Sequence, residues 1–458
     1  MKIRAHRNLQ AIVGLTLIAV ALITGCFISL RDTHYDDIER GKEPLSGSFV
    51  RYDGHVYAVS AGDGYYRVVG ADARTFKPLG VQGFAPLGQD AHAVYCGDQV
   101  ISGLLPDAAR VVAEGYVADA QRAWFCGQSV SDPAYRSWQA LIGSVDERSA
   151  NRVKYRRFPV VPLPRAHVAS LHAINRVYVG DGVQLFYQGH LVVGADPANV
   201  QSMSYVTGEA KGRIDDAYIR DSRAVYYRGA QIEDAAAATF DIFRPDNNDN
   251  ADTYGFDRAS GRYYFNGQKF PASVDGVDAQ SLRVLLTDRD HTNQDLFVNE
   301  HGIFFWDTQR NQLRFACVPP APGLHTVDGL RSILTDGQSL YGTAAIEHWA
   351  QNRSSKTLES RETTIYRIPD VAPGQLQRLG DLQGKDASSL GTLWQAGSYL
   401  FYVPRFGQGN FFTHSIYAVA DLQRLRATAS SGGQIWSILS VVNQIKGVTV
   451  CVAKSEYR

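Results

Sequence analysis

The chain has 458 residues with 46 basic and 46 acidic side chains, so no global positive field draws it to nucleic acid. An apolar fraction of 45% excludes a disordered polymer, and 24 Tyr, 20 Phe and 42 Gly against 2 Met describe many short strands cut by turns. An all-β fold is predicted, with little helix after residue 30.

In chain order, Lys2, Arg4 and Arg7 come first, then an apolar run over 11–30, then Arg31 and Asp32. A basic flank before an apolar segment keeps the N-terminus in the cytoplasm and exports the chain beyond that segment. Two readings of the run stand side by side. As an uncleaved apolar helix, its 20 residues reach across about 30 Å of hydrocarbon. As a signal peptide, it carries Ile23-Thr24-Gly25-Cys26, which resembles the bacterial lipoprotein box and makes Cys26 the lipidated residue. Phe27 and Ile28 depart from the small or polar residues usual after such a cysteine. Under either reading the body is membrane-anchored in the cell envelope and faces the periplasm, with 31–48 as a linker.

From 49 to 317 a unit recurs: an Asp, a gap, one or two aromatics, one variable residue, a Gly and a short apolar strand. Its clearest copies run from Asp221 to Tyr227-Arg228-Gly229 and from Asp257 to Phe265-Asn266-Gly267. Others run from Asp90 to Tyr95-Cys96-Gly97, Asp119 to Phe125-Cys126-Gly127, and Asp181 to Tyr187-Gln188-Gly189. A worn first copy holds Tyr52-Asp53-Gly54, and a last one ends at Trp306-Asp307. The marker glycines are separated by 30, 62, 40 and 38 positions, the 62 reading as two units with one degenerate copy. Such a period signals a repeat architecture. Asn266-Gly267 and Asp53-Gly54 are strong hairpin turns, because both central positions need positive φ. Closing pieces such as Asp72 to Phe76 and Asp196 to Val200 read as capped turns into the next strand. One hairpin cannot bury its aromatic face alone, so the hairpins are expected to stack into a propeller-like or solenoid body.

The Asp, the Tyr-Tyr or Tyr-Phe pair, the Gly, and the trailing Gly70-Ala71-Asp72 and Gly194-Ala195-Asp196 resemble the DKNYY family of bacterial envelope proteins over roughly 49–317. The Lys-Asn usual after the Asp is replaced by Ser222-Arg223 and Arg258-Ala259. The resemblance implies a β-repeat envelope protein without an established activity, and it brings no catalytic residue.

Setting Cys26 aside leaves Cys96, Cys126, Cys317 and Cys451, an even number suited to an oxidising compartment. Three pairings are open. The repeats favour Cys96 with Cys126, both beside a marker glycine, as a staple between adjacent hairpin tips; four separate buried thiols are the alternative. The run Pro159 to Pro164 interrupts the repeats and is excluded from a central strand. A second proline-rich break begins after Cys317, and 318–458 is expected to form a C-terminal β region without the aromatic-x-Gly unit. Its strand candidates lie at 364–368, 399–404 and 415–419, with two closing strands in 434–453.

No nucleophile elbow, phosphate loop, metalloprotease helix or dinucleotide fingerprint occurs, and the 12 His are scattered. Asp246, Asn248, Asn250 and Asp252 imitate the alternating oxygen ligands of a calcium loop. Ala251 stands where glycine makes the sharp turn, and Asp257 replaces the bidentate Glu, so the segment reads first as a solvated loop. Calcium is the one cofactor it suggests. Tyr226-Tyr227 and Tyr263-Tyr264 suit sugar stacking if exposed and core packing if not. The expected function is a non-enzymatic, membrane-tethered scaffold binding a protein or glycan partner. The alternative is a glycan- or peptide-acting hydrolase on a β-propeller-like toroid.

Overall fold

The computed structural model describes residues 35–80, 85–139, 144, 146–207, 210–244, 253–287, 292–351, 356–405, 414–432 and 435–457. The apolar run with Cys26 and the loop from Asp246 to Asp252 lie outside the described residues. The chain divides into two compact units, one reaching to Ser202 and including Asp215–Gln231, the other comprising Met203–Ile214 and Ile232–Arg458. Both are all-β, and among the described residues every sheet is open, with none closing into a barrel.

The first unit is a series of small antiparallel meanders. Glu43–Ser46, Phe49–Tyr52, His55–Ser60 and Gly64–Arg67 form the first, and Lys77–Pro78, Leu87–Gln89, Val94–Cys96 and Gln99–Val100 the second. Within the stretch expected as linker, 35–41 is helical and Glu43–Ser46 pairs with Phe49–Tyr52. In the third sheet the meander Arg110–Ala113, Tyr116–Ala118, Ala123–Cys126 is completed by Val160–Pro162 from the proline-rich run. That strand lies at the sheet edge, where a missing amide costs no ladder bond. His172–Ala173, Tyr178–Gly180, Leu185–Tyr187 and His190–Leu191 make the fourth.

In three of the repeats an aromatic pair joins the two inner strands, whereas the Asp90 repeat has Leu87 opposite Cys96. Tyr116 lies opposite Phe125, Tyr178 opposite Tyr187, and Tyr218 opposite Tyr227. Their ring centroids are 4.9, 4.8 and 4.8 Å apart. Such contacts contribute about 0.5–1.5 kcal/mol beyond the area they bury. Tyr116, Tyr178 and Tyr218 are fully buried. At the hairpin tips, Asn266 and Gly267 take φ of 46° and 79°, the positive pair that a two-residue turn demands.

In the second unit, the meander Phe240–Phe243, Tyr254–Asp257, Arg262–Phe265 and Gln268–Lys269 repeats this plan, with Tyr254 opposite Phe265. Arg283–Leu286, Leu296–Val298, Ile303–Asp307 and Gln312–Cys317 follow as another. Two five-stranded sheets then take over. One contains the long hairpin Leu340–Gln351 and Lys356–Ile368, flanked by the C-terminal strand Val448–Glu456. The other contains Tyr399–Pro404 and Tyr417–Ala418, and Leu425 and Ala429 of helix Leu422–Ser430 pack into its core. The closing segment differs from expectation in one place, since Ile435–Leu439 is helical before the strands Asn443–Gln444 and Val448–Glu456. Ile438 there is buried among Leu425, Tyr417 and Val442.

Candidate functional site

The signature aspartates of the repeats are the first place to look for chemistry, and their surroundings are closely alike. Asp221 Oδ1 accepts the amides of Arg223 (2.7 Å) and Ala224 (2.8 Å), while Oδ2 accepts the Asp196 amide (2.8 Å) and the Tyr226 hydroxyl (3.0 Å). Asp90 does the same with His92, Ala93, Asp72 and Tyr95. Asp181 takes Val183, Gln184 and His167 amides, and Asp119 takes Gln121 and Arg122. Each Asp therefore closes its own turn, and Asp90, Asp181 and Asp221 also tie down the preceding segment. Burial pushes the Asp90 and Asp221 carboxyls up, but the donated amides and tyrosine hydroxyls outweigh it and hold both below the usual carboxylate range. Carboxylates engaged in this way serve the fold and are poorly placed to act on a substrate.

Asp257 accepts the Ala259 amide and the hydroxyls of Thr239 and Ser260, and so serves its own turn. Tyr226 and Tyr264 are fully buried, while Tyr227 and Phe265 pack on Tyr218 and Tyr254. The tyrosine pairs are thus core, because the hairpins have little else to bury. Two features escaped the reading of the sequence. One is the Tyr three positions before four of the Asp residues, at Tyr116 and Asp119, Tyr178 and Asp181, Tyr218 and Asp221, and Tyr254 and Asp257. The other is a further copy of the turn at Asp336, which accepts Gln338 and Ser339 amides and the Tyr341 hydroxyl. Both are visible as Tyr-x-x-Asp and Asp-x-x-x-Leu-Tyr spacings.

The buried tyrosine hydroxyls link successive repeats of the first unit. Tyr116 donates to the Val177 carbonyl (3.1 Å) and accepts the Gly189 amide (3.2 Å). Tyr178 donates to the Ala217 carbonyl (3.0 Å) and accepts the Gly229 amide (2.7 Å). Gly229 has φ of 81°, and a Cβ there would lie 3.0 Å from Cβ of Tyr187 in the preceding repeat. The marker glycine is needed both for the turn and for this close approach.

Cys96 and Cys126 are bonded, with Cα atoms 5.6 Å apart, and Cys317 is bonded to Cys451 at the same Cα separation. The second bond ties the last strand of a repeat meander to the C-terminal strand. Among the described residues, no group of three or more His, Cys, Asp or Glu is placed to hold a metal ion, and no helix is long and apolar enough to cross a membrane.

One concave site in the first unit gathers charged and aromatic groups. A pocket of about 580 Å³ is lined by Tyr35, Glu39, Lys42, Asp63, Tyr65 and Glu147, among others. Tyr35 and Glu39 come from the helix over 35–41, Asp63 and Tyr65 from the hairpin that closes the first sheet, and Glu147 from the segment between the third sheet's strands. Lys42 donates to Glu39 (2.6 Å) and to the Tyr65 hydroxyl (2.9 Å), and Tyr65 donates to the other Glu39 oxygen. Behind the wall, Arg152 donates to Asp63 (2.9 Å) and lies 3.5 Å from Glu147, with all three side chains buried. Asp63 also accepts the Tyr66 hydroxyl and the Tyr155 amide. Hydrogen bonds from Lys42 and Tyr65 hold the Glu39 carboxyl below its ordinary value against a small opposing effect of burial. Burial, then the bond to Glu39, pushes the Tyr65 hydroxyl up to about 12. A smaller pocket in the second unit, about 350 Å³, includes Arg283 and Asn299. There Arg283 is spent on the Leu324 carbonyl and Asn299 on the carbonyls of Asp278 and Gln280.

No curated protein matches the chain. The model of the DKNYY family matches residues 49–210, which contain the turns of Asp90, Asp119 and Asp181. With its signature carboxylates, aromatic pairs and turn glycines in place, the stretch 49–210 is similar to the DKNYY family.

Proposed function

We propose that this protein is a non-enzymatic, membrane-tethered component of the cell envelope, a β-repeat scaffold that binds a protein or glycan partner in the periplasm or at the cell surface. The observation that carries this reading is the use of the repeat acids. Asp90, Asp181 and Asp221 each spend both carboxylate oxygens on turn amides, neighbouring segments or tyrosines. A repeated residue committed to geometry marks a framework, and exposed faces of repeat frameworks are used for binding. The serial bonds from Tyr116 to Gly189 and Tyr178 to Gly229 favour solenoid-like stacking within the first unit over closure as a propeller. The two disulfides agree with an oxidising compartment, and the basic-then-apolar start at 2–30 agrees with tethering there through Cys26 or an uncleaved helix.

The hydrolase reading has one observation in its favour, since Glu39, Asp63 and Glu147 line a single pocket. Against it, both oxygens of Glu39 and of Asp63 are occupied by donors from the protein itself. The test is intact mass and membrane partitioning of the chain made in a bacterium, with an assay on cell-wall glycan and peptide alongside. A mass beginning at Cys26 plus acyl chains, or a full-length mass held in the membrane, with no turnover, supports the reading. A chain recovered in the cytosol with free thiols, or one that cleaves either polymer, overturns it.

A further inference from the structure

We infer that the outer edge of the long hairpin in the second unit docks an extended peptide segment of a partner protein as an added strand. This rests on reading the protein as a binder, and it names the class of partner and the place it takes. Strand Leu340–Gln351 has two neighbouring strands only at its start, where Leu340 and Tyr341 pair with Thr335 and Leu334. Thr343 is held next, its amide donating to Ser415 Oγ (2.8 Å) and its carbonyl accepting the Ser415 amide (2.9 Å). Ala344 then makes one isolated bridge to His414. From Ala345 to Gln351, among the described residues, the strand pairs with Lys356–Ile368 alone.

These bonds fix which way the backbone groups face. Thr343 turns its N–H and C=O away from the hairpin partner. The carbonyls of Ile346 and Glu362, paired across the hairpin, both accept Asn293 Nδ2 at 2.9 Å and so lie together on the inner side. Alternation along an antiparallel strand therefore puts the amides and carbonyls of Ala345, Glu347 and Trp349 on the open edge. Protected edges are short, bulged, charged or covered. The closing strands Gln99–Val100 and His190–Leu191 are two residues each, and the edge strand Gln377–Gln383 is broken by two register shifts. The edge strand Val448–Glu456 is fastened by Cys451 to Cys317 and by the Lys454 carbonyl to Arg314 (3.1 Å). Ala345–Gln351 has no Lys, Arg or Pro, and the register shift beside it falls on the opposite strand, at Glu359. Donors and acceptors alternating at strand spacing are matched by another polypeptide backbone. Ile346 and Trp349, 37% and 48% exposed, stand three positions apart on opposite faces, so the docked strand should carry apolar residues at i and i+3.

The experiment is fluorescence anisotropy of the full chain in detergent with the labelled peptide Thr-Val-Thr-Thr-Leu-Thr-Lys-Thr, and with two versions methylated at alternate amides in either phase. The parent peptide should bind saturably, one methylated version at least tenfold more weakly, and the other unchanged. Amide exchange at Ala345 and Glu347 should slow when the peptide is bound. Ala345→Pro removes an outward amide and leaves the inner ladder, so it should weaken binding at least tenfold. If that variant fails to fold, Trp349→Thr, at an exposed position, should weaken it in the same direction. No saturable binding, equal binding of all three peptides, or affinity unchanged in both variants overturns the inference. A dimer of the chain that protects the same amides and excludes the peptide also overturns it, giving the edge to a second copy. A chain recovered untethered would sink the envelope reading and leave peptide docking to be judged on these titrations.

Discussion

Replacing Tyr178 by Phe removes one oxygen atom and tests how the repeats are joined. The hydroxyl accepts the Gly229 amide at 2.7 Å and donates to the Ala217 carbonyl at 3.0 Å, and the residue is wholly buried. Its loss leaves the Gly229 amide without its acceptor, while the Ala217 carbonyl keeps the Arg228 amide at 2.8 Å and the ring keeps its contact with Tyr187. One orphaned buried donor costs about 1–3 kcal/mol, so the hairpin Val225–Tyr227 with Ala230–Gln231 should loosen by about that much. Amide hydrogen exchange is the suitable assay, because a chain of two units need not unfold in one step. At tenfold per about 1.4 kcal/mol, exchange at Gly229 should quicken by roughly 5- to 140-fold. Tyr116→Phe should act likewise at Gly189, but less strongly, since that bond is longer at 3.2 Å. Exchange at Gly229 that rises less than about threefold in Tyr178→Phe would refute the idea that the hydroxyl pins the turn.

Three further outcomes are expected. The carboxylates of Asp90, Asp181, Asp221 and Asp336 are all held below the usual range, so the stability they contribute is fully present above the unfolded value of about 4. It should be lost as pH falls through their folded values, and urea midpoints between pH 7 and 3 should drop less in Asp221→Asn than in the wild type. Breaking Cys317–Cys451, which closes a separation of 134 residues, should cost about 5 kcal/mol in the second unit, against about 4 kcal/mol in the first for Cys96–Cys126 at 30 residues; melting of each double Cys→Ala variant reads both. Alkylation of the unfolded, non-reduced chain should leave Cys96, Cys126, Cys317 and Cys451 unlabelled, and any label on them would contradict the two bonds.

Much of the framework was legible because it is local. Asn266-Gly267 and the aromatics beside it announce a hairpin from adjacent residues, and Asp221 announces the turn its carboxylate closes. The Tyr three positions earlier was missed because the unit was counted forward from Asp, while Tyr178 pairs across the turn with Tyr187. The partner of Cys317 lies in another sheet, 134 residues on, and nothing local identifies Cys451. The pocket was invisible for the same reason. Tyr35 and Glu39 fall in a stretch that reads as linker, and Glu147 and Arg152 in an insertion without repeat character. Only folding brings a helix, a hairpin and an insertion together.

The bonds from Tyr178 and Tyr116 to the next marker glycine bear on how such a chain tolerates change in length. From Tyr116 to Gly127, Tyr178 to Gly189 and Tyr218 to Gly229 the count is eleven positions each time, whereas the intervals between units vary widely. One residue added inside a unit would carry its turn away from the hydroxyl and reverse the faces of a strand. Dozens added between units need only return the chain to the same starting place, at a modest entropic cost. Among these three units, change in length is therefore confined to the intervals. The longest of them, from Gly127 to Tyr178, is where Glu147 and Arg152 arise.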